Sequence, residues 1–187
     1  MKIKNLFFTL LGLALVDDLI TLAFPVNFQY QGISFIPHFC FVALLLNVYD
    51  RDWKDRILIS AFVGLMMDLF FMDTFMIYSL LYGILGYCSG IFSKYMQEDD
   101  RFLFFVVWVL VFFVDFIPVS ISMLNHMVHV SFVTWFVHHE AFTLALHVVI
   151  IIFLMYCFIV YNRYETIRMH RKKRFERKKY KKLKQEF

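Results

Sequence analysis

The sequence predicts an all-α polytopic membrane protein, a six-helix transmembrane bundle with both termini in the cytoplasm. Three observations carry that expectation. The chain is 61% hydrophobic and 20% aromatic, above the roughly 45–50% apolar content of soluble domains. The excess lies in blocks near the ~20 residues a helix needs to cross a bilayer, without the period-two alternation of a membrane β-barrel. When these blocks are threaded back and forth, all nineteen Lys and Arg residues fall on one side, and cytoplasmic loops are the ones enriched in Lys and Arg.

The spans read in order as Leu6–Phe24, Ser34–Tyr49, Ile57–Met72, Phe75–Tyr95, Phe102–Ile121 and Phe142–Tyr161. Lys2 and Lys4 precede the first, and Asp17 and Asp18 follow its apolar run with no small-residue cleavage site, so it is expected as a retained helix rather than a secretory signal. Arg51, Lys54 and Arg56 lie between the second and third spans, and Lys94 and Arg101 at the join of the fourth and fifth. The alternate connections, Pro25–Ile33, Met72–Phe75 and Ser122–Phe142, contain no Lys or Arg. None of the connections is long enough to bury a core of its own. The domain reading is therefore residues 1–161 as the transmembrane domain and 162–187 as a basic cytoplasmic tail.

That tail carries twelve basic and three acidic residues from Asn162 onward, a charge of +9 that leaves the rest of the chain at −5. Beside anionic headgroups each basic residue contributes up to about 1 kcal/mol. An anchor on anionic lipid that fixes topology is the favoured reading, contact with a cytoplasmic protein is the alternative, and nucleic acid is not expected as a partner. Cys40, Cys88 and Cys157 are far apart in separate spans and form no redox or metal pattern.

Ionisable residues within apolar spans cost roughly 2.5–3.5 kcal/mol each on insertion scales and need a reason. Asp17 and Asp18, Asp68 and Asp115 lie late in the odd-numbered spans, while His38 and His147 lie early in even-numbered ones. All six therefore fall toward one surface. They read as mutually hydrogen-bonded structural groups, as the lining of an outer cavity for a ligand or partner segment, or as a proton or metal pathway. His126, His129, His138, His139 and Glu140 in the following loop have weak metal-ligand spacing. No metal site and no cofactor is expected.

In the fourth span Ser79, Gly83, Gly86 and Gly90 recur at helical spacing and form a small-residue face for close helix packing, more in keeping with the bundle's own interior than with an outside partner. Pro118 is expected to bend the fifth helix just beyond Asp115, beside a cavity or near the helix end. Met123–Val137, with Trp135, reads as a loop or short helix in the interface whose apolar surface receives a partner. There is no phosphate-binding glycine loop, no His-Glu-x-x-His and no Gly-x-Ser-x-Gly, and no enzymatic activity is expected.

One pattern carries a family resemblance. Phe35-Ile-Pro37-His38-Phe39 opens the second span, and Gly64-Leu-Met-Met-Asp68-Leu follows in the third. This order and spacing resembles the bacterial rod shape-determining protein MreD family, with motif agreement over Phe35–Tyr95. The family has a Leu-Gly or Ile-Gly just after the Asp-bearing helix, where this chain reads Thr74-Phe75-Met76-Ile77-Tyr78. The resemblance implies a non-enzymatic subunit of the cell-elongation machinery. Its partners would be an MreC-like single-span protein and, directly or indirectly, MreB filaments and peptidoglycan synthases. Pro37, His38, Phe39, Gly64 and Asp68 would be the partner-binding or structural motif. The implied fold is similar to the six-helix substrate-binding subunits of energy-coupling-factor transporters. The alternative function is such a subunit for a vitamin-type small molecule, with Asp68 beside an outer ligand cavity.

Overall fold

A computed structural model of the chain describes residues 3–27, 32–70, 76–126 and 129–185, with side chains described from 5 to 174 within those segments. The Met72–Phe75 connection, Thr74 and Phe75 of the altered turn, and the tail side chains past Arg174 lie outside the described residues. Every described element is helical, with no strand among the described residues. In order these are α1 Ile3–Ala23, α2 Phe39–Val48, α3 Trp53–Phe70, α4 Ile77–Ile91, α5 Ser93–Glu98, α6 Asp100–Leu124, α7 Phe132–Trp135 and α8 Ala141–Gln185. A π-helical turn, Phe136–Glu140, joins the last two.

Each predicted span is occupied by helix, but the lengths differ. Three helical runs are long and apolar enough to cross a membrane: Asn5–Ala23, Asp100–Leu124 and Phe132–Arg174. Phe39–Val48 and Ile77–Ile91 are apolar but shorter. At 1.5 Å per residue the 10-residue α2 is about 15 Å long, half the hydrocarbon thickness. Its start is set by Pro37, which lacks an N–H and biases the residue before it toward extended backbone. Residues 33–38 are consequently non-helical. Their backbone groups bond elsewhere in the chain: the Ser34 amide donates to the His138 carbonyl (2.9 Å) and the Ile36 amide to the Thr143 hydroxyl (3.3 Å).

The chain divides into two compact units, Met1–Leu154 and Met155–Phe187. In the first, α2 is the centre, with Cys40 to Leu46 and Val48 all buried. A helix that is apolar all round belongs inside, and α2 packs against α1, α3, α4 and α6. The second unit is helical to Gln185, exposes Tyr164, Ile167 and Met169, and pairs Arg168 with Glu165 at 3.3 Å.

The most extensive helix pair is α3 with α4, and the small residues explain it. A methyl group on Gly64 would overlap the Tyr78 carbonyl and the Ser79 Cα at the start of α4. Down the opposite face, Gly83 meets Ala61, Gly86 meets Ser60, and Gly90 meets the Arg56 guanidinium. The Ser79 hydroxyl donates to the Ala61 carbonyl at 3.0 Å. The small-residue face therefore packs within the bundle, against α3. Helix α6 continues through Pro118 without a break.

Met76, at the N-cap of α4, has φ 59°. This left-handed conformation disfavours a side chain, and it falls in the turn where the family pattern has glycine. Met76→Gly is expected to raise stability by about 1 kcal/mol, seen as a higher melting temperature in detergent. Gly64→Ala should act oppositely, by about 1–3 kcal/mol of overpacking. An unchanged melting temperature for Gly64→Ala would show that α3 and α4 part without cost.

Candidate functional site

Two of the aspartates do the same job on different helices. The first amides of a helix have no partner within it, and inside a bilayer there is no water to supply one. Asp17, from α1, accepts from the amides of Phe39 and Cys40, both at 2.9 Å, at the start of α2. Asp68, from α3, accepts from those of Tyr78 (3.0 Å) and Ser79 (2.8 Å) at the start of α4. Each carboxylate thus spans two adjacent N-terminal amides of the next helix, and the positive end of that helix dipole further favours the negative charge. Neither α2 nor α4 has a cap from its own N-cap side chain.

Asp115, in α6, is used differently. Both its oxygens lie 2.9 Å from His38 Nε2, with both side chains buried. His38 is the N-cap residue of α2, so Asp17 and Asp115 grip the same helix start, one through the amides and one through the imidazole. The His38 ring lies 5.5 Å from that of His147. His147 Nδ1 is 2.7 Å from the Thr143 carbonyl. A carbonyl only accepts, so Nδ1 carries the proton, and the buried Nε2 has no hydrogen-bond partner.

Asp18 does not join this cluster. It is exposed, because one residue along a helix turns the side chain by about 100° and Asp17 takes the inward position. Asp68 also stands apart, its carboxylate turned to the α4 amides. Among the described residues a cavity of about 150 Å³ lies along Tyr78, Asp115, Pro118, Val119, Trp135 and His139, with Val26 and Ile36. Trp135 is 1% exposed, so it is part of the interior and offers no surface to a partner. Among the described residues of that segment the large exposed apolar ones are Leu124, Phe132, Val133 and Val137.

Sequence reasoning passed over Glu140, taken only as a companion of loop histidines. It is fully buried, and neither carboxyl oxygen has a hydrogen-bond partner. Thr143 and His147 are also fully buried, and the i, i+3, i+7 spacing of Glu140, Thr143 and His147 is the signal of a polar face turned inward. Among the described residues no group of three or more His, Cys, Asp or Glu side chains is placed to hold a metal ion.

Family comparison bears on this arrangement directly. A family model for the rod shape-determining protein MreD matches residues 1–165 of the 187-residue chain. The chain belongs to the MreD family. No curated protein and no solved structure matches it. MreD proteins are rod shape-determining membrane proteins and are not known as enzymes, and the matched region contains both carboxylate caps and the Asp115–His38 pair. The first amides of these two short helices need acceptors, and here Asp17 and Asp68 supply them.

Asp17→Asn and Asp68→Asn keep the shape but lose a charged acceptor, and each is expected to cost about 1–2 kcal/mol. Asp18→Asn should leave the melting temperature unchanged. Equal effects at Asp17 and Asp18 would contradict the capping role.

Proposed function

We propose that this chain is a non-enzymatic scaffold of the bacterial cell-elongation complex. On this reading six helices cross the membrane, with both termini cytoplasmic, and the chain holds an MreC-like single-span protein. It thereby helps couple MreB filaments to peptidoglycan synthases, while the basic tail lies on anionic lipid. Membership of the rod shape-determining family is the observation that carries the reading.

The polar groups add support. Most are used up in tying helices together, as Asp17, Asp68 and the Asp115–His38 pair are. That suits a rigid platform better than a transporter.

An apolar groove of about 1010 Å³ runs between α1 and α3, with Ala61 and Ser79 among the small residues along it and Phe7, Phe8 and Phe62 as larger walls. Small residues allow close approach of another helix in lipid. The single span of the partner is our proposed occupant.

The test is gentle solubilisation of the tagged protein from its native cell, followed by mass spectrometry of what co-purifies. A single-span protein with an extracytoplasmic domain is the expected companion, whereas paired ATPases with a coupling membrane subunit would overturn the reading. Leu58→Trp, which fills the groove from an exposed position of α3, should abolish that recovery while the protein still reaches the membrane. Asp68→Leu removes the α4 cap and should turn rods into rounded cells, and normal rod shape with normal partner recovery would count against it.

A further inference from the structure

We propose that the open face of α1 seats a transmembrane helix of another protein, and that this helix carries a Lys or Arg opposite Asp18. This goes beyond the scaffold reading by naming the chemistry of the span in the groove, and it rests on that reading's placement of α1 across the membrane.

The first ground is the carboxylate. Asp18 is exposed, and among the described residues no group hydrogen-bonds or ion-pairs with it. Its neighbour Asp17 is turned inward to the α2 amides. Asn5–Ala23 is long and apolar enough to cross a membrane, and Asp18 lies about 8 Å before the end of α1 at Ala23. Beyond it Leu19, Leu22 and Phe24 are exposed, Leu22 at 77%. If Asp18 stood at the level of water, those three apolar side chains would stand in water too. At the depth they call for, the carboxylate faces hydrocarbon, where an ionised group without a partner is costly. A second helix covering this face relieves both situations.

The second ground is the face itself. Phe7, Leu11, Leu15, Asp18 and Leu22 recur at helical spacing and so lie on one side of α1. Phe7 and Leu11 are half-buried, and Leu15, Asp18 and Leu22 are exposed. Phe7 is also a wall of the groove between α1 and α3. The face with Asp18 therefore continues that groove, and a span that follows α1 out of it meets the carboxylate about 16 Å beyond Phe7.

The third ground is charge, which selects the occupant. A carboxylate away from water is best satisfied by a cationic donor, and a Lys or Arg within a span needs such a pairing equally. No Lys or Arg occurs in residues 5–50, 57–93 or 102–162, so neither this chain nor a second copy supplies one from these segments. Two copies packed through this face about a two-fold axis would set Asp18 against Asp18, a like-charge contact. The segment on α1 is therefore foreign, and its basic residue lies toward the same end of its span as Asp18 does of α1.

The test puts photoreactive p-benzoylphenylalanine in place of Leu22 in the full-length chain, in its native cell, and sequences the peptide that crosslinks to it. A transmembrane segment with a Lys or Arg at the matching depth is expected. Asp18→Asn should lower the yield of that crosslink by about tenfold or more, the size of one charge-assisted contact. Its unchanged melting temperature in detergent separates lost docking from lost fold. Asp18→Lys should abolish the crosslink, and changing the partner's basic residue to Asp should restore it. An undiminished yield in Asp18→Asn would overturn the proposal, as would a crosslink to a segment without Lys or Arg, to a second copy, or to no protein. If Leu58→Trp removes the single-span companion while the Asp18 variants keep it, the scaffold reading stands and this proposal falls. If the crosslink leads to a basic segment of an unrelated membrane protein, the scaffold reading falls and this proposal stands.

Discussion

The first amide N–H groups of a helix have no acceptor in its own turns, and the rest of this structure depends on how those of α2 and α4 are supplied. Asp17 and Asp68 each reach from one helix to the first amides of the next. A hydrogen bond to a charged group contributes about 1.5–3 kcal/mol, and losing it leaves the buried partners unpaired. The same contacts fix register, because a carboxylate that bridges two adjacent amides holds α2 against α1, and α4 against α3, at one height. Asp115 occupies the corresponding late position in α6 and is spent on His38, which ties a third helix to the start of α2.

Close packing follows from the caps. Lipid tails are as apolar as leucine, so helices in a membrane are held by van der Waals contact and polar bonds rather than by hydrophobic exclusion. Gly64 lets the start of α4 come near enough for Asp68 to reach its amides, and Gly83, Gly86 and Gly90 keep the two helices close along their length. Gly64 and Asp68 are thus one device, a glycine for approach and a carboxylate for attachment, one helical turn apart. The αL backbone at Met76 is a local cost of the same turn.

Around α2 the polar groups form a layer rather than a catalytic array. The backbone groups of Ser34, Ile36 and Asn27 are bound to the Phe136–Glu140 turn and α8, through the His138 carbonyl, the Thr143 hydroxyl and His139 Nε2, the last at 3.0 Å from the Asn27 carbonyl. These links hold an irregular segment, residues 33–38, that would otherwise carry unsatisfied backbone into the interior of the bundle. Glu140 and the Nε2 of His147 are the exceptions, as buried polar atoms the fold leaves open.

The sequence alone determined the membrane class, the helical content and the family pattern, because hydropathy blocks and the Gly64–Asp68 spacing are local properties of the chain. It also determined that Asp17, Asp68, Asp115 and His38 need partners, since an ionisable group among apolar neighbours is costly wherever it sits. Which partners they take was decided only by the tertiary structure. Asp17 bonds amides 22 residues away and Asp115 an imidazole 77 residues away, and no periodicity encodes such distances. Local pattern likewise could not shorten the second span to ten residues, because an extended segment after Ser34 is tolerated only when α8 is there to receive its hydrogen bonds. The burial of Trp135 and Glu140 has the same origin. The π turn that follows Trp135 brings His139 and Glu140 both inward, and that turn is a product of packing rather than of composition.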